Sequence, residues 1–311
     1  MELAFSRILL EWMDYVKMEV RPSTYAKYFF LSTRHIMPGL GDVPAQALTA
    51  ERLNRFLTEE QKGGNRVNNG ALSRSSLQSI RYIIKAVMDY AVVLGYIQNS
   101  PTKYRSFRLE RRKITTLDTQ AQMNLKALLL REIDAPKLGI FVCLYTGLRI
   151  GEICALRWED IDRDSRILRV KNTVQRVPNP ESNGKVKTML VIGSPKSISS
   201  QREIPLSPVL SDLFNRYFPE EHNGFLLTGS SIRIMEPRTY QYRFKRYLAQ
   251  SGIRDVNFHA LRHTFATECV RVGCDAKTLS EILGHANVNI TLDRYVHPSR
   301  DMKRKQIELL S

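Results

Sequence analysis

Cysteine is scarce in this chain of 311 residues: Cys143, Cys154, Cys269 and Cys274 are the whole supply. They sit in apolar, helix-like surroundings and form no Cys-x-x-Cys pair, which argues against a disulfide framework and for free buried thiols in a reducing compartment. Long apolar runs are missing too. The longest, Leu138 to Tyr145, falls far short of the ~20 residues a membrane span needs. The opening stretch MELAFSRILLEWMDY is interrupted by acids and Trp12, which excludes a signal peptide. There is no internal repeat, no low-complexity tract and no Walker box for a nucleotide. Hydrophobic residues at 43% and charged residues at 25% are ordinary for a chain that builds a core. At this length about two domains are expected.

Acidic residues are in deficit. The formal net charge is +16, spread as +5 up to residue 110 and +11 beyond it. Such an excess costs self-repulsion and makes sense when a polyanion neutralises it. Nucleic acid is the first candidate and an anionic membrane surface the second. No basic amphipathic helix with a strong apolar face supports the membrane.

The first hundred residues read as helices. Leu9, Trp12, Met13 and Val16 fall on one helical face. Pro22 suits the first turn of a second helix reaching about Ile36, with Met37-Pro38-Gly39 as its stop. Thr49 can cap a third helix that ends at Gly63-Gly64-Asn65. Ser75 or Ser76 opens a fourth, with Ile80, Ile83, Ile84, Val87, Met88 and Ala91 on its buried stripe and Asn99-Ser100-Pro101 as its end. The basic stretch Tyr104–Lys113 has little periodicity and reads as a linker. Beyond it the pattern is mixed. Ile167–Val174 looks like a strand, Val186–Ile192 like its return, and Arg202–Leu206 like a further short strand. Helices resume near Leu210, Arg238, His259, Ala276 and Ile290. The fold class is therefore mainly α with a small antiparallel β-sheet, divided into a helical domain over 1–107, a basic linker over 108–114 and a mixed α/β domain over 115–311.

Four segments carry chemistry: Thr146-Gly147-Leu148-Arg149-Ile150-Gly151-Glu152, Ser194-Pro195-Lys196, His259-Ala260-Leu261-Arg262-His263-Thr264, and Leu283-Gly284-His285 with Tyr295 ten residues on. Two arginine forks, imidazoles, an amine and a phenol are a set that suits a phosphodiester, since guanidinium groups can neutralise non-bridging oxygens as charge builds on phosphorus. Spacing alone does not prove the grouping. A metal reading would use His259 and His263 with Cys269 or Cys274, but there is no HExxH glutamate and Arg262 would repel a cation, so no metal site is expected.

Taken in order, the segments resemble the motif set of the tyrosine recombinases, the phage integrase family. TGLRIGE resembles the first-arginine box, SPKSISSQREIPL the hairpin that presents a lysine, HALRHTFAT the His-x-x-Arg box, and LGHANVNITLDRYVH the terminal box. The similarity spans about 115–298 and extends more weakly to a helical core-binding domain before it. The resemblance implies that Tyr295 attacks the scissile phosphate, leaving a 3′-phosphotyrosyl link and a free 5′-hydroxyl. It implies that His259 is base or proton shuttle, that Lys196 protonates the departing oxygen, and that Arg149, Arg262 and His285 clamp the phosphate. No cofactor is required. Glu152 and Asp293 are read as structural, and His263 is assigned to a buried hydrogen bond or to packing.

Duplex recombination sites are the expected partner, engaged by a homo-tetramer, with a host bending factor or an excisionase as possible helpers. The expected location is the bacterial cytoplasm, with the nucleoid. The chain is expected to start directly at the core-binding domain, without an arm-binding domain. The hairpin 174–192 resembles that of integrases from Gram-positive conjugative transposons and is expected to touch a neighbouring protomer or DNA. The tail 299–311 is expected to dock on the next subunit. Candidate DNA contacts are Ser23, Thr24, Lys27 and Tyr28 at one helix start and Ser73, Arg74, Ser75, Ser76 and Arg81 at another, where helix N-termini with basic neighbours suit phosphates. Two rivals remain at this point: a type IB topoisomerase, and a non-catalytic DNA-binding regulator that keeps the fold.

Overall fold

The computed structural model describes residues 3–65, 70–101, 114–178, 188–193 and 200–296, together with Arg304, Ile307 and Glu308 of the tail. The chain divides into two compact units, residues 1–112 with 177–189 and residues 113–176 with 190–311. The basic stretch 102–113 lies outside the described residues.

In the first unit, α1 (Phe5–Glu19), α2 (Pro22–Leu31), α4 (Ala50–Gly63) and α5 (Arg74–Val93) surround one apolar core. The stripes of α1 and α5 face inward as their periodicity predicts, with Leu9, Trp12, Met13, Val16 and the α5 residues from Ile80 to Ala91 buried. Thr49 caps α4 by accepting the Arg52 N–H, and α4 ends at Gly63. Three boundaries differ from expectation. Ser73, rather than Ser75 or Ser76, caps α5 by accepting the Ser76 N–H at 3.1 Å. That helix ends at Val93, where Gly95 turns the chain with φ +72°, well before Asn99. The Met37-Pro38-Gly39 stop is also overturned, because the chain stays helical through a π turn at Ser32–Ile36 into α3 (Met37–Leu40). The π turn shifts the hydrogen-bond frame so that the Met37 N–H reaches Ser32 O. Pro38 then falls in a first turn, where its missing N–H costs little. Gly39 is needed for packing, since a Cβ there would lie 2.5 Å from the Phe56 ring of α4.

In the second unit, α7 (Ala135–Thr146) is the central post. Nearly all its residues from Pro136 to Thr146 are buried, so it carries no amphipathic stripe. Asp134 caps it by accepting the Lys137 N–H. Around it lie α6 (Thr119–Arg131), α8 (Ile150–Ala155), α9 (Pro208–Tyr217), α10 (Pro237–Gln250) and α11 (His259–Arg271), followed by α12 (Ala276–Leu283) and α13 (Asn289–Tyr295). The strand expected over Ile167–Val174 is two strands, β2 (Ile167–Val170) and β3 (Thr173–Pro178), parted at Lys171 and Asn172. β2 lies between β1 (Ile161–Asp162) and β5 (Arg202–Pro205) in an antiparallel sheet, with Leu168 opposite both Ile161 and Ile204. β3 pairs with β4 (Thr188–Gly193) in a second, two-stranded sheet. The hairpin tip between them lies outside the described residues. The expected class, mainly helical with small antiparallel sheets, is the class observed. Among the described residues no helix is long and apolar enough to cross a membrane. Cys143 and Cys154 are buried and free, whereas Cys269 and Cys274 are only partly buried.

Candidate active site

Gly147 ends α7 in the left-handed conformation (φ +65°), which a residue with a Cβ adopts only with strain. A Cβ there would also lie 2.6 Å from Phe265 and 2.8 Å from Leu283. The tight turn delivers Arg149 to the start of α8. Glu152 then holds Arg149 twice, accepting its backbone N–H at 2.9 Å and its Nη1 at 2.7 Å.

The end of α12 gathers the arginines. Its last carbonyls carry the partial negative charge of a helix C-terminus. Ile282 O accepts from Arg202 Nε at 2.5 Å, Leu283 O from Arg262 Nη2 at 2.8 Å, and Gly284 O from Arg149 Nη2 at 2.9 Å. Three consecutive carbonyls thus orient guanidinium groups from three different segments. Arg262 adds a bond from Nη1 to Gly147 O at 2.9 Å and is only 2% exposed. Burial, reinforced by Arg149, lowers its pKa to about 9. Arg202 also donates to both oxygens of Glu152. Burial tends to raise the Glu152 carboxyl, but Arg202 and Arg149 together outweigh it and hold the group below its ordinary value.

The imidazoles report the same field. His285 is pushed down to about 3 by burial and by Arg262 and Arg149. Its Nδ1 lies 2.8 Å from the hydroxyl of Thr291, which is fully buried, a bond that fixes the orientation of the ring. His259 lies at the solvent-facing start of α11. Desolvation of its ring, with His263, Arg262 and Arg294, still holds it at about 4. All three rings, His263 included, are neutral at pH 7 and lie within the positive field of Arg262 and Arg294, which suits an anion.

Tyr295 ends α13 and is 8% exposed, packed with Ala266, Leu279 and Leu283. Its hydroxyl lies 2.7 Å from His263 Nδ1. Burial raises the phenol, Arg262, Arg294 and Arg149 draw it down, and burial prevails. The structure thus brings Arg149, His259, Arg262, His285 and Tyr295 together in one chain. Lys196 lies outside the described residues, as do most of the tail and residues 179–187 of the hairpin. Among the described residues no three His, Cys, Asp or Glu side chains gather as a metal site requires.

One participant was missed in the sequence. Arg202 was read only as a strand residue, although it shares a strand face with buried Ile204, a placement that calls for a partner. For His263 the expected hydrogen bond is present, but its partner, the Tyr295 hydroxyl, is one the sequence does not name.

The candidate DNA contacts lie in the first unit. Ser23 and Thr24 are half-buried in the first turn of α2. Lys27 reaches Ser79 of α5 at 2.6 Å. Tyr28 packs between Trp12 and Tyr82, and burial with Tyr82 raises its phenol to about 12, which suits packing better than phosphate contact. Arg74 and Arg81, two turns apart, share a face of α5.

Residues 108–302 match the phage integrase family. A XerC-like tyrosine recombinase of Caldanaerobacter subterraneus is 25% identical over 100% of this chain and 83% of its own length. The ICEBs1 integrase of Bacillus subtilis is 22% identical over 95% of this chain and 79% of its own. Among solved structures, the Tn1549 transposon integrase in complex with transposon right end DNA superposes with a TM-score of 0.79 at 21% identity, covering 99% of both chains.

Proposed function

The chain belongs to the phage integrase family, and from that premise we propose that it is a site-specific DNA recombinase, a tyrosine recombinase that integrates and excises a mobile element. Tyr295 attacks a DNA phosphate and forms a 3′-phosphotyrosyl intermediate, and the 5′-hydroxyl of a second duplex reverses the step. Arg149, Arg262 and His285 hold the phosphate oxygens. His259 handles protons at the mouth of the site. Lys196, assigned from its motif, protonates the leaving oxygen. The link keeps the bond energy of the phosphodiester, so the reaction needs no cofactor.

The observation that carries this reading is the Tyr295 hydroxyl buried within the charge field of Arg262 and Arg149 in the same subunit. A phenol so placed has its nucleophilic oxygen beside the groups that would stabilise a pentavalent phosphorus. The domains over 1–107 and 115–311, with the linker 108–114, each bind duplex DNA. Four subunits act on two sites, helped where needed by a bending protein or an excisionase. The tail 299–311 reaches the next subunit, and the hairpin 174–192 reaches a neighbour or the DNA. The mobile-element role draws support from the similarity to the ICEBs1 and Tn1549 integrases.

Nicked duplexes from a randomised pool, captured covalently on the protein, test the reading. Wild type is expected to yield adducts that survive denaturation, and Tyr295→Phe none, with DNA binding retained. Tight binding without an adduct in the wild type would mean a regulator. Strand exchange between two labelled captured duplexes separates a recombinase from a topoisomerase.

A further inference from the structure

A protonated phenol cannot attack phosphorus without losing its proton, and Tyr295 is protonated at neutral pH, since a phenol ordinarily titrates near 10 and burial raises this one further. The acceptor in contact with that proton is His263: its Nδ1 is 2.7 Å from the Tyr295 oxygen. The two rings are tilted at 53° with centroids 5.6 Å apart, and His263 is anchored on α11 beside Arg262. The ring of His259 is edge-on to that of His263, with centroids 4.5 Å apart. The ionisable groups set against His263 are His259 and Arg262 on its own helix and Arg294 and Tyr295 on α13. Burial, Arg294 and Arg262 keep it neutral near pH 7, as an acceptor must be.

We propose that His263 is a catalytic residue of strand cleavage, accepting the phenolic proton of Tyr295 on Nδ1 as the tyrosine oxygen bonds to phosphorus. The O–H bond breaks as the N–H bond forms, while the P–O5′ bond breaks and the leaving oxygen takes its proton from the general acid. When a 5′-hydroxyl attacks the phosphotyrosine, Nδ1 returns the proton to Tyr295. First acceptance of the proton thus passes from His259 to His263. The inference rests on the recombinase reading above.

The test uses nicked duplexes captured by wild type from the randomised pool, in single-turnover cleavage. His263→Ala is expected to slow adduct formation by about 10²–10³-fold without weakening DNA binding. It is also expected to remove the acidic limb of the pH–rate profile that His263 contributes. His263→Asn keeps an acceptor oxygen near the position of Nδ1 but holds no proton, and it is expected to remain slow while melting like wild type. Replacing Tyr295 with a fluorinated tyrosine of more acidic phenol is expected to recover at least tenfold of the rate in either variant. If His263→Asn cleaves within threefold of wild type with an unchanged pH profile, or the fluorinated residue recovers nothing in a folded variant, the proposal is overturned and His263 only packs. If wild type captures no duplex at all, the recombinase reading itself fails, an outcome distinct from a defect confined to the His263 variants.

Discussion

Glu152 and Arg202 meet across fifty positions of sequence, the guanidinium 3.0 and 3.3 Å from the two carboxylate oxygens, with 2% and 6% of their side chains exposed. Arg149 shares the same carboxylate. Glu152 is therefore the hinge pin between the Arg149 turn and strand β5, and Arg202 carries the link on to α12 through Ile282 O. Removing one partner of a buried pair is costly, and without Arg202 the Glu152 carboxylate keeps only the half-exposed Arg149 as a charged partner. Arg202→Met is expected to lose about 3 kcal/mol of stability, read by chemical denaturation. Glu152→Gln in the same chain is expected to recover part of that loss, because the two changes are coupled through one contact.

Gly147→Ala is expected to be worse than a helix-propensity argument would suggest. The left-handed backbone costs about 1–3 kcal/mol for a residue with a Cβ, and the added methyl meets Phe265 and Leu283 at distances that force movement. The Gly147 carbonyl also holds Arg262. The variant is expected to melt at lower temperature and, below its melting point, to form adducts more slowly than its folded fraction accounts for.

Thr291→Val is nearly isosteric in a fully buried position and removes the hydroxyl 2.8 Å from His285 Nδ1. The ring then loses the bond that fixes its orientation. Adduct formation is expected to fall about tenfold, the effect of losing roughly one neutral hydrogen bond in the transition state. Thr291→Ser is expected to restore most of it, whereas a variant that acts through stability alone would not separate the two.

The legible parts of the sequence were those governed by period and order. The stripes of α1 and α5 could be read because one face of each helix meets one core. Arg149, His259, Arg262, His285 and Tyr295 were selected by motif order, and the fold gathers them. What escaped was set by contacts between distant segments. No local rule says that Ile282, Leu283 and Gly284 each receive a different arginine, so Arg202 passed for a strand residue. His263 is a helix residue until α13 brings Tyr295 to it. Pro38 and Gly39 read as a stop because propensity takes no account of a π turn that makes room for the proline.

Stability is expected to depend on pH through the three imidazoles. His259, His263 and His285 have folded pKa values of about 4, about 4 and about 3, below the ordinary 6.5. Between those values and 6.5 the unfolded chain binds more protons than the folded one, so stability rises with pH across that window and is lost as pH falls through it. Glu152, held below its ordinary 4.5, adds a further loss below that pH. Melting temperature measured in low-salt buffer is expected to fall steadily from pH 6.5 to pH 4. His285→Asn is expected to flatten the slope, and a melting temperature constant over that range would contradict these shifts.

DNA binding offers a test that does not depend on chemistry. If the first unit grips phosphates through α5, Arg74 and Arg81 lie on the face that does so, and Tyr28, packed between Trp12 and Tyr82, does not take part. Each phosphate contact releases counterions, so log affinity falls with log salt by about 0.9 per contact. Arg74→Ala is expected to weaken binding to random-sequence duplex and to reduce that slope by about 0.9. Arg81→Ala is expected to do the same, and Tyr28→Phe is expected to leave the slope unchanged. Fluorescence anisotropy across a salt series measures all three. Equal slopes in the arginine variants and wild type would move the phosphate-binding face away from α5.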